Sequence, residues 1–126
     1  MPIIGHGIDL IEVARIAQMQ ERHGQRFLDR VFTPAEQAYA ASSKRQTEHL
    51  AARFAAKEAA LKALGTGWRD GIAWTDVEII ATPSGKPALT LHHAAAQIAK
   101  DLGIRFWTIS LTHTSSHAIA SVIGEG

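Results

Sequence analysis

A chain of 126 residues, almost half of them apolar, is close to the commonest domain size and reads as one domain spanning 1–126 with a core of its own. A formal net charge of +1 gives no general basic excess for nucleic acid, and the absence of cysteine removes disulfides, thiolate zinc sites and a cysteine nucleophile. No apolar run reaches the roughly eighteen residues a membrane span needs, and "MPIIGHGIDL" has neither basic leader nor cleavage site, so a cytoplasmic protein is expected.

Taken in chain order, the first element is a strand from Ile3 to Ile11, apolar but broken by Gly5 and Gly7, which in a strand mark close approach of another backbone or a ligand. A helix follows from about Glu12 to His23. At Thr33 the stretch "TPAEQ" combines an N-cap threonine, a proline at the first helical position and a glutamate three after the cap, which opens a short helix. Ser43 and Gln46 repeat that spacing and are expected to open a long helix that ends at Leu64, before Gly65. "IAWTDVEII" from Ile72 and "ALTLH" from Ala88 alternate as strands of a hairpin turned by "TPSGKP". A helix from about His93 to Leu102 leads into "RFWTISLTHT" and "AIASVIG", a second hairpin. The order predicts an α+β fold, a mainly antiparallel sheet packed with a long central helix.

The long helix carries the candidate chemistry. At about 100° per residue, Leu50, Phe54, Leu61 and Leu64 form one apolar stripe, and Ala52, Ala56, Ala59, Ala60 and Ala63 cover the opposite side, which predicts burial on two faces. The charges fall on the flanks, Glu58 with Lys62 on one and Arg53 with Lys57 on the other. Glu58 and Lys62 alone form an ordinary i,i+4 pair worth about 0.2 to 0.5 kcal/mol. Arg53 and Lys57 repel each other unless an anion lies nearby.

Asp9 sits in an apolar run where an unpaired carboxylate is costly. It either caps the next helix, pairs with an arginine, or converges with Glu58 on one hard cation. Two separated carboxylates suit magnesium, which completes its shell with water and substrate phosphates, better than calcium or zinc. "HTSSH" has a zinc-like spacing but lies in a strand and turn without a further ligand. "TPSGKP" lacks the earlier glycine and the following hydroxyl residue of a Walker loop.

"GIDLIEVARI", "RFAAKEAALKALGTG", "SGKPAL" and "ISLTHT", in that order over nearly the whole chain, resemble the small, trimeric type of 4′-phosphopantetheinyl transferase, the holo-[acyl-carrier-protein] synthase family. The resemblance implies transfer of 4′-phosphopantetheine from coenzyme A to a serine of apo acyl carrier protein, leaving adenosine 3′,5′-bisphosphate. It implies magnesium on Asp9 and Glu58, Lys62 on the pyrophosphate, Glu58 as the candidate proton acceptor, and His113 with Thr114 at a coenzyme phosphate. Gly85, Lys86 and Pro87 would form a backbone edge beside the coenzyme, with Arg53 and Arg45 as candidates for its phosphates. A homotrimer with sites between subunits is implied as well, Asp9 and Glu58 coming from one protomer and the hairpin contacts, with Arg45, from its neighbour.

The first helix offers the partner surface. Arg15, Arg22, Arg26 and Arg30, with Met19 and Phe27, form either a solvated amphipathic face or a basic platform for acyl carrier protein, which the family resemblance makes the expected, acidic partner.

Overall fold

The computed structural model describes residues 2–68 and 71–126. Strand β1 (Ile3–Glu12) leads into α1 (Val13–His23), α2 (Gln25–Val31), α3 (Pro34–Ala41) and the long α4 (Gln46–Leu64); then come a 3-10 turn (Trp74–Asp76), β2 (Val77–Ala81), β3 (Pro87–Leu91), α5 (His93–Leu102), β4 (Phe106–His113) and β5 (His117–Glu125). The sheet runs β1-β5-β4, antiparallel throughout, and β2 and β3 pair separately as a hairpin. The expected α+β arrangement is therefore present. Among the described residues no helix is long and apolar enough to cross a membrane.

Helix α4 is the core. It is buried around most of its circumference, which extends the expected two-face burial: besides Leu50, Leu61 and Leu64, the alanines at 51, 52, 55, 56, 59, 60 and 63 are all buried. Small side chains let the sheet lie almost on the helix backbone. A Cβ at Gly5 or Gly7 would overlap the carbonyl oxygen of Ala63 or Ala59, so both glycines mark the close approach read from the sequence. The register puts Gly5, Gly7, Asp9 and Ile11 on the α4 side, beside Ala118, Ala120 and Val122 of β5. The opposite side of the sheet leaves Ile8 and Leu10 51% and 63% exposed.

Three local expectations need correction. The long helix is not opened by a Ser43–Gln46 capping box: its flanking residue is Arg45, without a side-chain cap, and the Ser43 hydroxyl instead accepts the Arg45 N–H at 3.0 Å within the preceding turn. The strand expected from Ile72 begins only at Val77, because Asp76 accepts the Ala73 N–H and closes a 3-10 turn first. The basic residues at 15, 22, 26 and 30 do not share one helix, since Gly24 at φ +56° divides α1 from α2. The capping box at Thr33, the stop at Gly65 and helix α5 stand as expected.

Candidate functional site

Two groups of polar side chains lie on different flanks of α4. Arg53 and Glu58 are five residues apart, which turns their side chains by about 140°.

On the first flank, Asp9 from β1 meets Lys62 from α4. The Lys62 ammonium donates to Asp9 Oδ1 at 3.2 Å and to the Ile8 carbonyl at 2.9 Å. Glu58 takes neither Lys62 nor any other described cation as a direct partner; its Oε1 accepts from the Trp68 indole N–H at 3.4 Å. Burial pushes the Glu58 carboxyl above its ordinary range and the Asp9 charge adds to this, while the Trp68 hydrogen bond, Lys62 and Arg15 pull the other way. Asp9, Glu58, Lys62 and Arg15 thus share one electrostatic neighbourhood. No third histidine, aspartate or glutamate joins the two carboxylates as a metal-ligand group among the described residues. That donor set fits a hard cation that fills its shell with water and substrate oxygen, and does not fit a closed zinc site. Trp68, absent from the sequence reading, stands just beyond the Gly65–Gly67 stop, where only its proximity to the helix end hinted at a role.

On the second flank, a cavity of about 160 Å³ is lined by Tyr39, His49, Arg53, Gly85, Pro87 and His113, among others. Arg53 is 4% exposed, its guanidinium 4.1 Å from the centroid of the Tyr39 ring. Its Nε is the one buried side-chain polar atom with no hydrogen-bond partner among the described residues. Burial lowers the arginine's proton affinity, while Tyr39 and Glu36 oppose this. A buried cation that lines a cavity and has a donor to spare suits an anion. His113 Nδ1 lies 2.8 Å from Glu48 Oε1. The His49 ring meets those of His113 and Tyr39 edge to face, at 5.1 and 5.3 Å.

Of the residues expected at a coenzyme, Arg53, Gly85, Pro87 and His113 are brought together here. Arg45 is exposed at the start of α4, one turn before His49 and near enough to lower its pKa. Lys86 points elsewhere, into a cleft that also holds Arg105. The Thr114 hydroxyl closes the β4–β5 turn by accepting the N–H groups of Ser116 and His117 at 3.2 and 3.1 Å. Tyr39, Glu48 and His49 were missed, although Arg45, His49, Arg53 and Lys57 recur every fourth residue and so share one helix face.

Lys57 ends that stripe inside the protein. Fully buried, it pairs with Glu36 at 2.9 Å and donates to the carbonyls of Trp74, at 3.2 Å, and Val77. Glu36 also accepts the N–H groups of Thr33 and Ile79. The anion that relieves the Arg53–Lys57 repulsion is therefore internal, and it ties α3, α4 and β2 together around the cavity.

The basic surface is split between α1 and α2. Met19, His23, Arg26, Phe27 and Arg30 line a cleft of about 250 Å³. Arg15 and Arg22 are exposed on α1, Arg15 at the edge nearest Glu58.

Comparison with known proteins adds a second line of observation. The family profile of the 4′-phosphopantetheinyl transferase superfamily matches residues 5–121. The chain is 52% identical to the holo-[acyl-carrier-protein] synthase of Koribacter versatilis, with 98% of each chain covered. Its fold superposes on the crystal structure of the Neisseria meningitidis holo-[acyl-carrier-protein] synthase with a TM-score of 0.90 at 31% identity, covering 99% of this chain and 100% of that one. It superposes on the Bacillus anthracis enzyme in complex with CoA (3′,5′-ADP) with a TM-score of 0.80 at 35% identity, covering 97% and 96%.

Proposed function

The chain belongs to the 4′-phosphopantetheinyl transferase superfamily, and on that premise we propose that it is a holo-[acyl-carrier-protein] synthase. It transfers 4′-phosphopantetheine from coenzyme A to a serine of apo acyl carrier protein and releases adenosine 3′,5′-bisphosphate. The observation that carries the reading is the division of labour across α4: a carboxylate pair with a lysine on one flank and a buried arginine facing a cavity on the other. Coenzyme A needs both, because its pyrophosphate reacts while its third phosphate only anchors.

In the reaction the serine oxygen forms a bond to phosphorus of the pyrophosphate, the phosphorus–oxygen bond to the nucleotide breaks, and the hydroxyl proton leaves. Asp9 and Glu58 would hold magnesium, which when bound supplies positive charge to the pyrophosphate oxygens. Lys62 adds a second cation for the charge that grows on the leaving phosphate. Glu58 is the proton acceptor of this proposal; Trp68 engages one of its oxygens and burial raises its basicity above that of an exposed carboxylate. Arg53, His113 and the Gly85–Pro87 edge bind the nucleotide, with Arg45 at the mouth. Arg15, Met19, Arg22 and Arg26 receive the acidic carrier protein, and Arg15 brings that surface up to Glu58.

The apolar face bearing Ile8 and Leu10 supports a homotrimer of this cytoplasmic enzyme. Neighbouring protomers would then supply the two halves of one site. Incubation with coenzyme A, magnesium and an apo carrier protein, followed by mass spectrometry of the carrier, tests the activity; absence of the phosphopantetheine mass overturns it.

A further inference from the structure

We propose that His49 is an additional anion-binding residue of the Arg53 cavity, taking up a proton as a phosphomonoester dianion enters. The inference rests on the reading of that cavity as a coenzyme phosphate site. It concerns the 3′-phosphate, the one phosphomonoester of coenzyme A, since the other two phosphates form the reacting pyrophosphate.

The geometry supports it from three sides. His49 lines the cavity with Arg53, whose buried Nε has no partner. It lies between Tyr39 and His113, each in edge-to-face contact, and among the described residues its ring nitrogens make no hydrogen bond. Its neighbours make it a switchable charge: Arg45 just before α4, Arg53 on α4 and His113 on β4 disfavour the imidazolium, Glu48 favours it, and Tyr39 presents its ring. The β2–β3 hairpin adds only Ala81, Gly85 and Pro87 to the cavity lining. Burial, then His113 and Arg53, hold the free imidazole below its ordinary value. A dianion placed among these groups reverses the balance, raises the pKa and draws a proton onto the ring.

In the free protein above the lowered pKa, His49 is neutral; in the complex it is protonated up to a higher pH. Between those limits binding consumes a proton and weakens as pH rises. The cavity thereby avoids a permanent third cation beside Arg53 and Arg45 yet gains one when a dianion arrives.

Calorimetric titration of the whole chain with coenzyme A, in two buffers of different ionisation enthalpy, reads the proton directly. At about pH 7.5 a phosphomonoester is already almost wholly dianionic, so its own titration does not contribute. The expected result is net proton uptake by the wild type that is lost in both His49→Phe and His49→Gln. Dephospho-coenzyme A, without the 3′-phosphate, should bind without that uptake. Binding without proton uptake, or uptake unchanged in both variants, overturns the role of His49 and leaves the phosphate cavity standing. Absence of binding overturns both.

Discussion

The ammonium of Lys62 reaches across to Asp9, 3.2 Å from Oδ1, instead of pairing with Glu58 one turn before it on the same helix. The lysine thereby couples the strand to the helix close to Glu58, whose carboxyl feels the Asp9 charge. Its side chain is 55% exposed, so this pair contributes at most about 1 kcal/mol to stability. Lys62→Ala should therefore lower kcat about 100-fold, the scale of losing one preorganised cation or donor, while leaving the unfolding midpoint almost unchanged. Glu58→Gln should abolish transfer at any magnesium concentration. Full activity of Glu58→Gln would remove both roles assigned to that carboxylate.

Gly7→Ala should cost both stability and activity. The added Cβ meets the Ala59 carbonyl oxygen, which is backbone and cannot swing aside, so β1 must move off α4. Asp9, two residues on, moves with it. The loss should be at least about 1–3 kcal/mol in urea unfolding, accompanied by a lower kcat. Ala59→Gly added to Gly7→Ala should not restore either quantity, because it leaves that oxygen in place. Rescue would show that the side chain, and not the backbone, sets the spacing.

Lys57→Met tests the buried ion pair with Glu36. Removal of the lysine strands a carboxylate of negligible exposure and takes one donor each from the carbonyls of Val77 and Trp74, the latter keeping the Val77 N–H. The expected destabilisation is about 3–5 kcal/mol, measured by denaturant unfolding with an unchanged m-value. A loss of less than about 1 kcal/mol would show that the network relaxes around the gap.

Much of this architecture was legible in short-range signals. Thr33-Pro34-Ala35-Glu36 specified a helix start, Gly65 a stop, and the two glycines of β1 a close backbone contact, because each depends on local geometry. The Ser43–Gln46 spacing misled for the same reason: a hydroxyl has several backbone partners within reach, and Ser43 serves Arg45 in a turn. Glu36 was read only as half of a capping box; that it also receives Lys57 and the Ile79 N–H depends on β2 folding back against α3. Tyr39 and His49 enter the cavity, and Glu48 holds its His113, through similarly distant contacts, with α3, α4 and β4 meeting at one place. Helix periodicity alone could align His49 with Arg53, but not supply the wall opposite them.

Arg22→Glu should raise the apparent KM for the carrier protein and leave that for coenzyme A unchanged. Arg22 is exposed on α1, away from both the carboxylate pair and the cavity, so its charge acts through encounter and orientation of an acidic partner. Added salt should diminish the difference between wild type and variant by screening the same interaction. Equal increases in both KM values would point to a disturbed fold and remove the assignment.

Leu10→Glu addresses the assembly. Leu10 is 63% exposed on the side of β1 that faces away from α4, and its cross-strand neighbour is Ile119 of β5, with Ile8 two residues before it on the same side. In an isolated chain a charge at such a position changes stability by no more than about 0.5 kcal/mol. In a trimer packed through this face, three carboxylates would enter an apolar interface and drive the subunits apart. Light scattering should therefore show a trimer for the wild type and a monomer for the variant, with the far-UV circular dichroism spectrum retained. Since neighbouring protomers are proposed to complete each site, transfer should disappear with the trimer and return in mixtures where an intact face is restored. A variant that stays trimeric, or a monomer with full activity, would separate the sheet face from assembly or assembly from catalysis.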